Sequence, residues 1–112
     1  MMVNNMSYNK LVRDKIPEII ESNGEVPITR VLNDNEYKQE LEKKLLEEYH
    51  EVLEASGSNR IEELSDMLEV ISALAQIEGE CLDTVIEVAR QKTKKRGGFE
   101  KKIYLIGVKK NK

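Results

Sequence analysis

Residues 47–66, EEYHEVLEASGSNRIEELSD, join two segments whose apolar residues recur at helical spacing. Each segment carries two acidic residues three positions apart: Glu48 and Glu51 in the first, Glu63 and Asp66 in the second. The sequence SGSN between them breaks the helical pattern. We therefore predict two helices, separated by a break, in which four carboxylates border the apolar faces.

The helical pattern continues on both sides of this stretch. Asn33 and Glu36 have the spacing of a capping box, which predicts the start of the first long helix. The second long helix, predicted over residues 60–79, is apolar over most of its circumference, which is typical of a helix at the centre of a bundle. Residues 81–95 predict a third long helix, and residues 13–25 predict a short one capped by Asp14, with Pro17 in its first turn and Gly24 after its end.

Two β-branched stretches, residues 26–32 and 102–108, predict short extended segments, and Pro27 restricts the first to a sheet edge. With one Phe and no Trp in 112 residues, the core depends on aliphatic side chains, which suits helices. We predict an all-α bundle of about four helices in one domain over residues 1–112, with minor β segments in the N-terminal third and at the C-terminus. Because the second long helix is apolar on more sides than its neighbours can cover, we expect dimerisation to complete the bundle.

The composition excludes several classes of protein. A net charge of −3 argues against a nucleic-acid partner, and the apolar runs are too short for a membrane span or a signal-peptide core. The single cysteine, Cys81, excludes an internal disulfide and a cysteine-rich zinc site and fits a reducing compartment. We expect a cytoplasmic protein without a nucleic-acid or membrane partner.

The four acidic residues have two interpretations. Acids three positions apart are common on solvated helix faces. Viewed down the helix axis, however, Glu63 and Asp66 lie about 60° apart, and the later residues Val70 and Ile77 project between them. The helix face that carries the two acids is therefore apolar further along the helix. Carboxylates gathered in a partly dry site repel one another and resist desolvation, and a hard cation such as Mg²⁺ removes both costs. The spacing alone leaves both interpretations open.

A different metal site could use Glu47 and His50, which have the Glu-x-x-His spacing of di-iron bundles. That architecture needs two such motifs, and His50 is the single histidine of the chain. We therefore interpret His50 as an exposed helix residue.

EEYHE at residues 47–51 followed by EELSD at residues 62–66 resembles the EExxE…ExxD signature of MazG-like nucleoside triphosphate pyrophosphohydrolases. These belong to an all-α superfamily that includes the dimeric dUTPases and phosphoribosyl-ATP pyrophosphohydrolase. YNKLVRDKIPEII at residues 8–20 and RGGF at residues 96–99 resemble a small single-domain branch of the group, so the resemblance spans most of the chain. The segment between Glu51 and Glu63 is short for the superfamily. The resemblance implies a helical bundle completed by dimerisation and a hydrolase that converts a nucleoside triphosphate, or a related nucleotide, to the monophosphate and pyrophosphate.

The resemblance also implies roles for individual residues. Glu48, Glu51, Glu63 and Asp66 would hold Mg²⁺, with Mn²⁺ as a substitute, and Glu47 would orient the attacking water or bind a second ion. The phosphate charge also requires cations, and the candidates for substrate binding are Lys10, Arg13, Lys92, Lys95 and Arg96.

Each of these cations is equally well interpreted as a solvated surface charge. The expected partners are a nucleotide substrate and further copies of the chain, as a homodimer or a dimer of dimers. The alternative function is that of a non-catalytic helical dimer that binds a metal or nucleotide and regulates a partner.

Overall fold

The computed structural model describes residues 9–111. Among these residues the chain forms α-helices and no β-strand. The helices are α1 (Ile16–Ser22), α2 (Asp34–Glu54), α3 (Gly57–Ile77) and α4 (Leu82–Arg96). The prediction of an all-helical chain with about four helices is therefore confirmed. In this part of the chain, no helix combines the length and the apolar character that crossing a membrane requires.

The start of α2 is fixed by the predicted capping box. The Asn33 side chain accepts a hydrogen bond from the Glu36 backbone N–H at 2.9 Å, and the Glu36 carboxylate accepts one from the Asn33 N–H at 3.3 Å. Arg30 adds an ion pair to the same carboxylate at 2.8 Å. Because the first N–H groups of a helix have no partner within the helix, these bonds determine where α2 begins.

Two residues, Ala55 and Ser56, connect α2 to α3 and fold them into a helical hairpin. Arg60 lies in the first turn of α3 and donates its Nε–H to the carbonyl oxygens of Val52 and Ala55, at 3.2 and 3.0 Å. Carbonyls at a helix C-terminus need such external donors. α3 begins at Gly57, three residues before the predicted start, and the left-handed conformation there (φ +58°) suits glycine.

The core of the hairpin is small. Its buried apolar side chains are Leu41 of α2 and Val70 and Ala75 of α3. α2 and α3 pack extensively against each other, whereas α4 contacts α3 over a shorter stretch. The fourth buried residue is charged: Glu48 of α2 is only 5% exposed.

α1 begins later than predicted. Lys15 occupies the N-cap position and makes no side-chain capping bond, so the predicted capping role of Asp14 is wrong. Pro17 lies in the first turn, where its missing N–H costs nothing, and Gly24 follows the helix with φ +83°, both as predicted.

The predicted minor β segments do not form. Residues 26–32 and 102–108 are neither helical nor paired with a strand in the described part of the chain. Ile28 and Ile106 are 96% and 95% exposed, so these two residues pack little against the helices. A β-strand needs a second strand to form hydrogen bonds with its backbone N–H and C=O groups. β-branched residues favour an extended backbone, but they do not provide that second strand.

The hairpin leaves a large apolar surface uncovered. Ile61, Leu64 and Leu68 of α3 are exposed, as are Leu46 and Leu53 of α2. The chain exposes 10738 Å², whereas a compact monomer of this mass would expose roughly 6,300 Å². Within one chain, α3 is therefore not enclosed on all the sides that its sequence makes apolar.

Candidate metal centre

Three of the predicted acidic residues converge where α2 faces α3. One carboxylate oxygen from each of Glu48, Glu63 and Asp66 lies within 4.8 Å of the others. The hairpin explains this meeting, because Glu48 lies seven positions before Ala55 and Glu63 lies seven positions after Ser56. Residues equally distant from the turn of an antiparallel helix pair lie at the same level. The i,i+3 spacing then brings Asp66 to the same face of α3 as Glu63.

Two oxygens of this acidic trio, Glu48, Glu63 and Asp66, have no hydrogen-bond partner. They are Oε2 of Glu48 and Oε2 of Glu63, both buried from solvent. Lys44 approaches the other oxygen of Glu48, with its Nζ 3.8 Å away. Leaving a buried acceptor unpaired costs about 1–3 kcal/mol, and more when it is charged. The trio therefore has acceptors that the described residues do not satisfy, and a bound cation would satisfy them.

Glu51 belongs to the same electrostatic group. Burial, followed by charge repulsion and a hydrogen bond with Glu51, raises the pKa of Glu48 to about 7. The pKa of Glu63 is also raised, first by its hydrogen bond with Glu51 and then by burial and by repulsion from Glu51. Glu51 therefore acts electrostatically on two members of the trio, whereas the three acids whose oxygens converge are Glu48, Glu63 and Asp66.

Asp66 differs from the other two members of the trio because it accepts a hydrogen bond from a cationic side chain. Its Oδ1 accepts a hydrogen bond from Nη2 of Arg13 at 2.8 Å. Arg13 lies in the segment that precedes α1, and both side chains remain partly exposed, at 57% for Arg13 and 43% for Asp66. The sequence predicted Arg13 as a substrate-binding cation but did not indicate that it contacts Asp66.

Glu47, the predicted catalytic residue, lies next to the trio without joining it. Its carboxylate is 3.6 Å from Nζ of Lys44, which also approaches Glu48. Lys44 thus bridges the two consecutive acids of α2. His50 is exposed and its ring lies against that of Tyr49, with the ring centroids 5.3 Å apart. His50 therefore contributes nothing to the trio, in agreement with its interpretation as an exposed residue.

The predicted substrate-binding cations are divided between two places. Arg13 contacts the trio, whereas Lys92, Lys95 and Arg96 are exposed on the last turns of α4. Among the described residues, these three form no hydrogen bond or ion pair with the acids; they line a shallow groove on α4 together with Glu87, Val88 and Gln91. Lys10 is exposed. The structure therefore brings Arg13 to the acids but leaves the α4 cations apart from them.

The trio fits a small, hard divalent cation. Its donors are carboxylate oxygens, which Mg²⁺ prefers, and two oxygens on opposite sides of one Mg²⁺ lie about 4.2 Å apart. The oxygens of the trio lie within 4.8 Å of one another, so small side-chain rotations would bring them to bonding distance. The unpaired oxygens of Glu48 and Glu63 are the most direct indication of such a site.

Comparison with known proteins gives little further guidance. No family model matches the chain, and no solved structure matches it. An uncharacterized protein of Mycolicibacterium smegmatis (strain ATCC 700084 / mc(2)155) is 49% identical to it over 43 residues. The matched region is 38% of this chain and 44% of that relative, so the chain spans less than half of the relative's length.

The raised pKa of Glu48 predicts how stability depends on pH without a divalent cation. Its folded pKa of about 7 lies above the ordinary value of 4.5, so the folded state binds more protons between these values. The stability that Glu48 contributes is then complete below about pH 4.5 and is lost as the pH rises through about 7. We expect Glu48→Gln, measured by urea unfolding in EDTA, to show a shallower loss of stability than wild type between about pH 5.5 and 7.5.

Glu69→Gln is the matched control, since Glu69 is an exposed acid on α3, and it should retain the wild-type pH dependence. Equal slopes for Glu48→Gln and wild type would contradict the assignment of the raised pKa to Glu48.

Proposed function

We propose that the chain is a Mg²⁺-dependent nucleoside triphosphate pyrophosphohydrolase of the MazG-like group. Its reaction is hydrolysis of the α–β phosphoanhydride of a nucleoside triphosphate, or a related nucleotide, to the monophosphate and pyrophosphate. The observation that carries this proposal is the convergence of Glu48, Glu63 and Asp66, with Glu51 coupled to them. These are the four acids that the EExxE…ExxD resemblance selects as ligands of Mg²⁺, or of Mn²⁺ in its place.

Phosphoanhydride hydrolysis suits a site of this composition. Phosphoryl transfer depends on positioning and on neutralising charge rather than on a protein nucleophile. When bound, Mg²⁺ would polarise a phosphate oxygen and lower the pKa of a coordinated water. Glu48 and Glu63 have the unpaired oxygens that would hold the ion. Glu47, on the adjoining position of α2, is proposed to orient the attacking water.

Arg13 is the cation best placed to meet the substrate phosphates. Its guanidinium already lies at the trio through its 2.8 Å bond to Asp66, and it is exposed enough to change partner. The planar guanidinium of Arg13 is suited to paired hydrogen bonds with a phosphate group, and it would exchange its bond to Asp66 for such bonds when a cation shares the Asp66 carboxylate. We also propose a cytoplasmic location, in keeping with the free thiol of Cys81.

The direct test is incubation with a panel of nucleoside triphosphates and Mg²⁺, with pyrophosphate and phosphate detected separately. We expect pyrophosphate as the first product from at least one of them. Glu63→Gln keeps the size of the side chain but removes a ligand charge, and it should lower kcat by roughly a hundredfold or more, equivalent to about 2.7 kcal/mol of activation free energy. Glu69→Gln, on an exposed position of the same helix, should retain full activity.

Release of phosphate alone, or no hydrolysis with either Mg²⁺ or Mn²⁺, would contradict the enzymatic proposal. Binding of Mg²⁺ or of a nucleotide, measured by calorimetry in the same samples, would then favour a non-catalytic module that regulates a partner.

Metal binding itself can be tested without catalysis. Because the trio forms only in the folded chain, Mg²⁺ should stabilise it, by about 1.4 kcal/mol when the free ion is at ten times its Kd. We expect the melting temperature to rise with Mg²⁺ concentration in wild type and in Glu69→Gln. Glu63→Gln should lose most of this rise, and a full Mg²⁺ effect in that variant would show that Glu63 is not a ligand.

We further propose that the chain acts as a homodimer, either alone or as the unit of a dimer of dimers. The exposed apolar residues Leu46, Leu53, Ile61, Leu64 and Leu68 lie on the two helices that carry the acids. A twofold axis would bury this surface against the same surface of a second copy. Sedimentation velocity at micromolar concentration should show a dimer or a multiple of it, and Leu64→Asp should weaken it. A stable monomer in wild type would contradict this proposal.

A further inference from the structure

Two segments of the chain are extended and exposed, although their composition is that of β-strands. The inner segment, residues 26–31, lies between α1 and α2, and the arm, residues 103–108, follows α4. Each has six residues and so spans about 20 Å as a strand. Their similar apolar composition makes them compatible partners.

The arm is apolar on both of the faces that a strand presents. Successive side chains of a strand point to opposite faces, and four consecutive residues here are apolar or aromatic. A strand of this kind fits a position that is covered on both sides, not a solvated edge. The exposed fractions are 80% for Ile103, 89% for Tyr104, 74% for Leu105, 95% for Ile106 and 84% for Val108.

The backbone of the arm has no partner within the described part of the chain. The last hydrogen bond between backbone groups there is from Lys102 N–H to the Phe99 carbonyl, at 3.0 Å. The inner segment is similarly open, with Val26, Ile28 and Val31 exposed by 85%, 96% and 98%. Pairing with each other would give both segments the ladder bonds that a strand requires and would also bury their side chains.

The two segments do not meet within one chain. No backbone hydrogen bond joins them among residues 9–111, and the molecule extends over 79 × 33 × 22 Å. Its radius of gyration is 19.8 Å, against about 13 Å for a compact domain of this length. The described part of one chain therefore provides no strand partner for either segment.

The charges at the ends of the segments are complementary. Lys101 and Lys102 precede the arm and Lys109 and Lys110 follow it, whereas Glu25 precedes the inner segment and Asp34 follows it. The inner segment also contains Arg30, but an ion pair with Glu36 at 2.8 Å balances its charge. The acidic residues near the ends of the inner segment can then face the basic residues near the ends of the arm in either strand direction. A second copy of this chain thus provides a partner of matching hydrophobicity and complementary charge.

We propose that the arm of one copy pairs as a β-strand with the inner segment of a second copy, and that the second copy reciprocates. This exchange places two equivalent strand pairs about a twofold axis. The inference goes beyond the proposed function, because it concerns how copies are held together and stands whether or not the chain is a hydrolase. It also differs from burial of the helical surface, since it uses residues outside the helices.

Cross-linking of cysteine variants tests the exchange. In full-length protein with Cys81→Ser, one variant carries Ile28→Cys and the other carries Ile106→Cys. The two are co-expressed and treated with a short bis-maleimide, which tolerates a difference of one or two residues in strand register. We expect covalent dimers to form several-fold more efficiently than in a control in which Glu69→Cys replaces Ile28→Cys.

A chain that carries both Ile28→Cys and Ile106→Cys tests the alternative, in which the arm pairs with the inner segment of its own chain. Cross-links within single chains, formed at a rate independent of dilution, would show that the arm folds back on its own chain and would overturn the proposal. Cross-linking no stronger than in the Glu69→Cys control would overturn it as well.

The double variant Leu105→Asp/Ile106→Asp of the whole chain allows a second test, in which the dimer Kd is measured. Charges on both faces of the arm should raise the dimer Kd at least tenfold in sedimentation equilibrium, while circular dichroism shows the helices intact. Asn111→Asp, beyond the arm, should leave the dimer Kd unchanged. An unchanged Kd in the double variant would overturn the exchange, and the outcome of the nucleotide assays does not depend on that result.

Discussion

The contact between α2 and α3 must accommodate the buried carboxylate of Glu48. Leu41 of α2 and Val70 of α3 are both buried, as expected of apolar residues in a helix–helix interface, and seven residues further along α2 the same interface contains Glu48 opposite Glu63. An aliphatic pair at this level would pack without cost. The chain instead places an oxygen without a hydrogen-bond partner there, in an environment that raises the pKa of its own carboxyl group to about 7. Such a local conflict with the rules of core formation is expected at functional sites.

The surrounding cations reduce this cost without removing it. Lys44 approaches one oxygen of Glu48, and Arg13 neutralises Asp66 from the segment before α1. The charges in these two ion pairs are either partly exposed or far apart, and the attraction between such charges is weak in water. Oε2 of Glu48 and Oε2 of Glu63 are left without a hydrogen-bond partner, so the proposed cation would act where the two basic side chains do not.

The contacts that could be predicted from the sequence join residues that are close together in the chain or placed symmetrically about the turn between α2 and α3. The capping box of Asn33 and Glu36 involves neighbouring residues, so its bonds could be predicted from their spacing. Glu48 and Glu63 meet because the hairpin is symmetric about a short turn, which two i,i+3 motifs on either side of a helix break already indicate. The bond between Arg13 and Asp66 joins residues 53 positions apart and depends on how the N-terminal segment crosses the hairpin, so spacing could not indicate it. The β prediction was wrong for a related reason: side-chain composition favours an extended backbone, but a strand exists only where another strand is available.

Small size connects the site to the assembly. A chain of 112 residues buries a limited share of its surface, and this one uses part of its best helix–helix interface for charged groups. The interface therefore contributes less hydrophobic stabilisation than an apolar one would. Further apolar area that could be buried lies on the exposed faces of α2 and α3 and on the two extended segments. The proposed cation would relieve repulsion within the hairpin, and the proposed association would bury the apolar residues on its outside. Since both would act on the same folded hairpin and not on the unfolded chain, each would raise the population of the state that the other requires, and the two would be thermodynamically linked through folding.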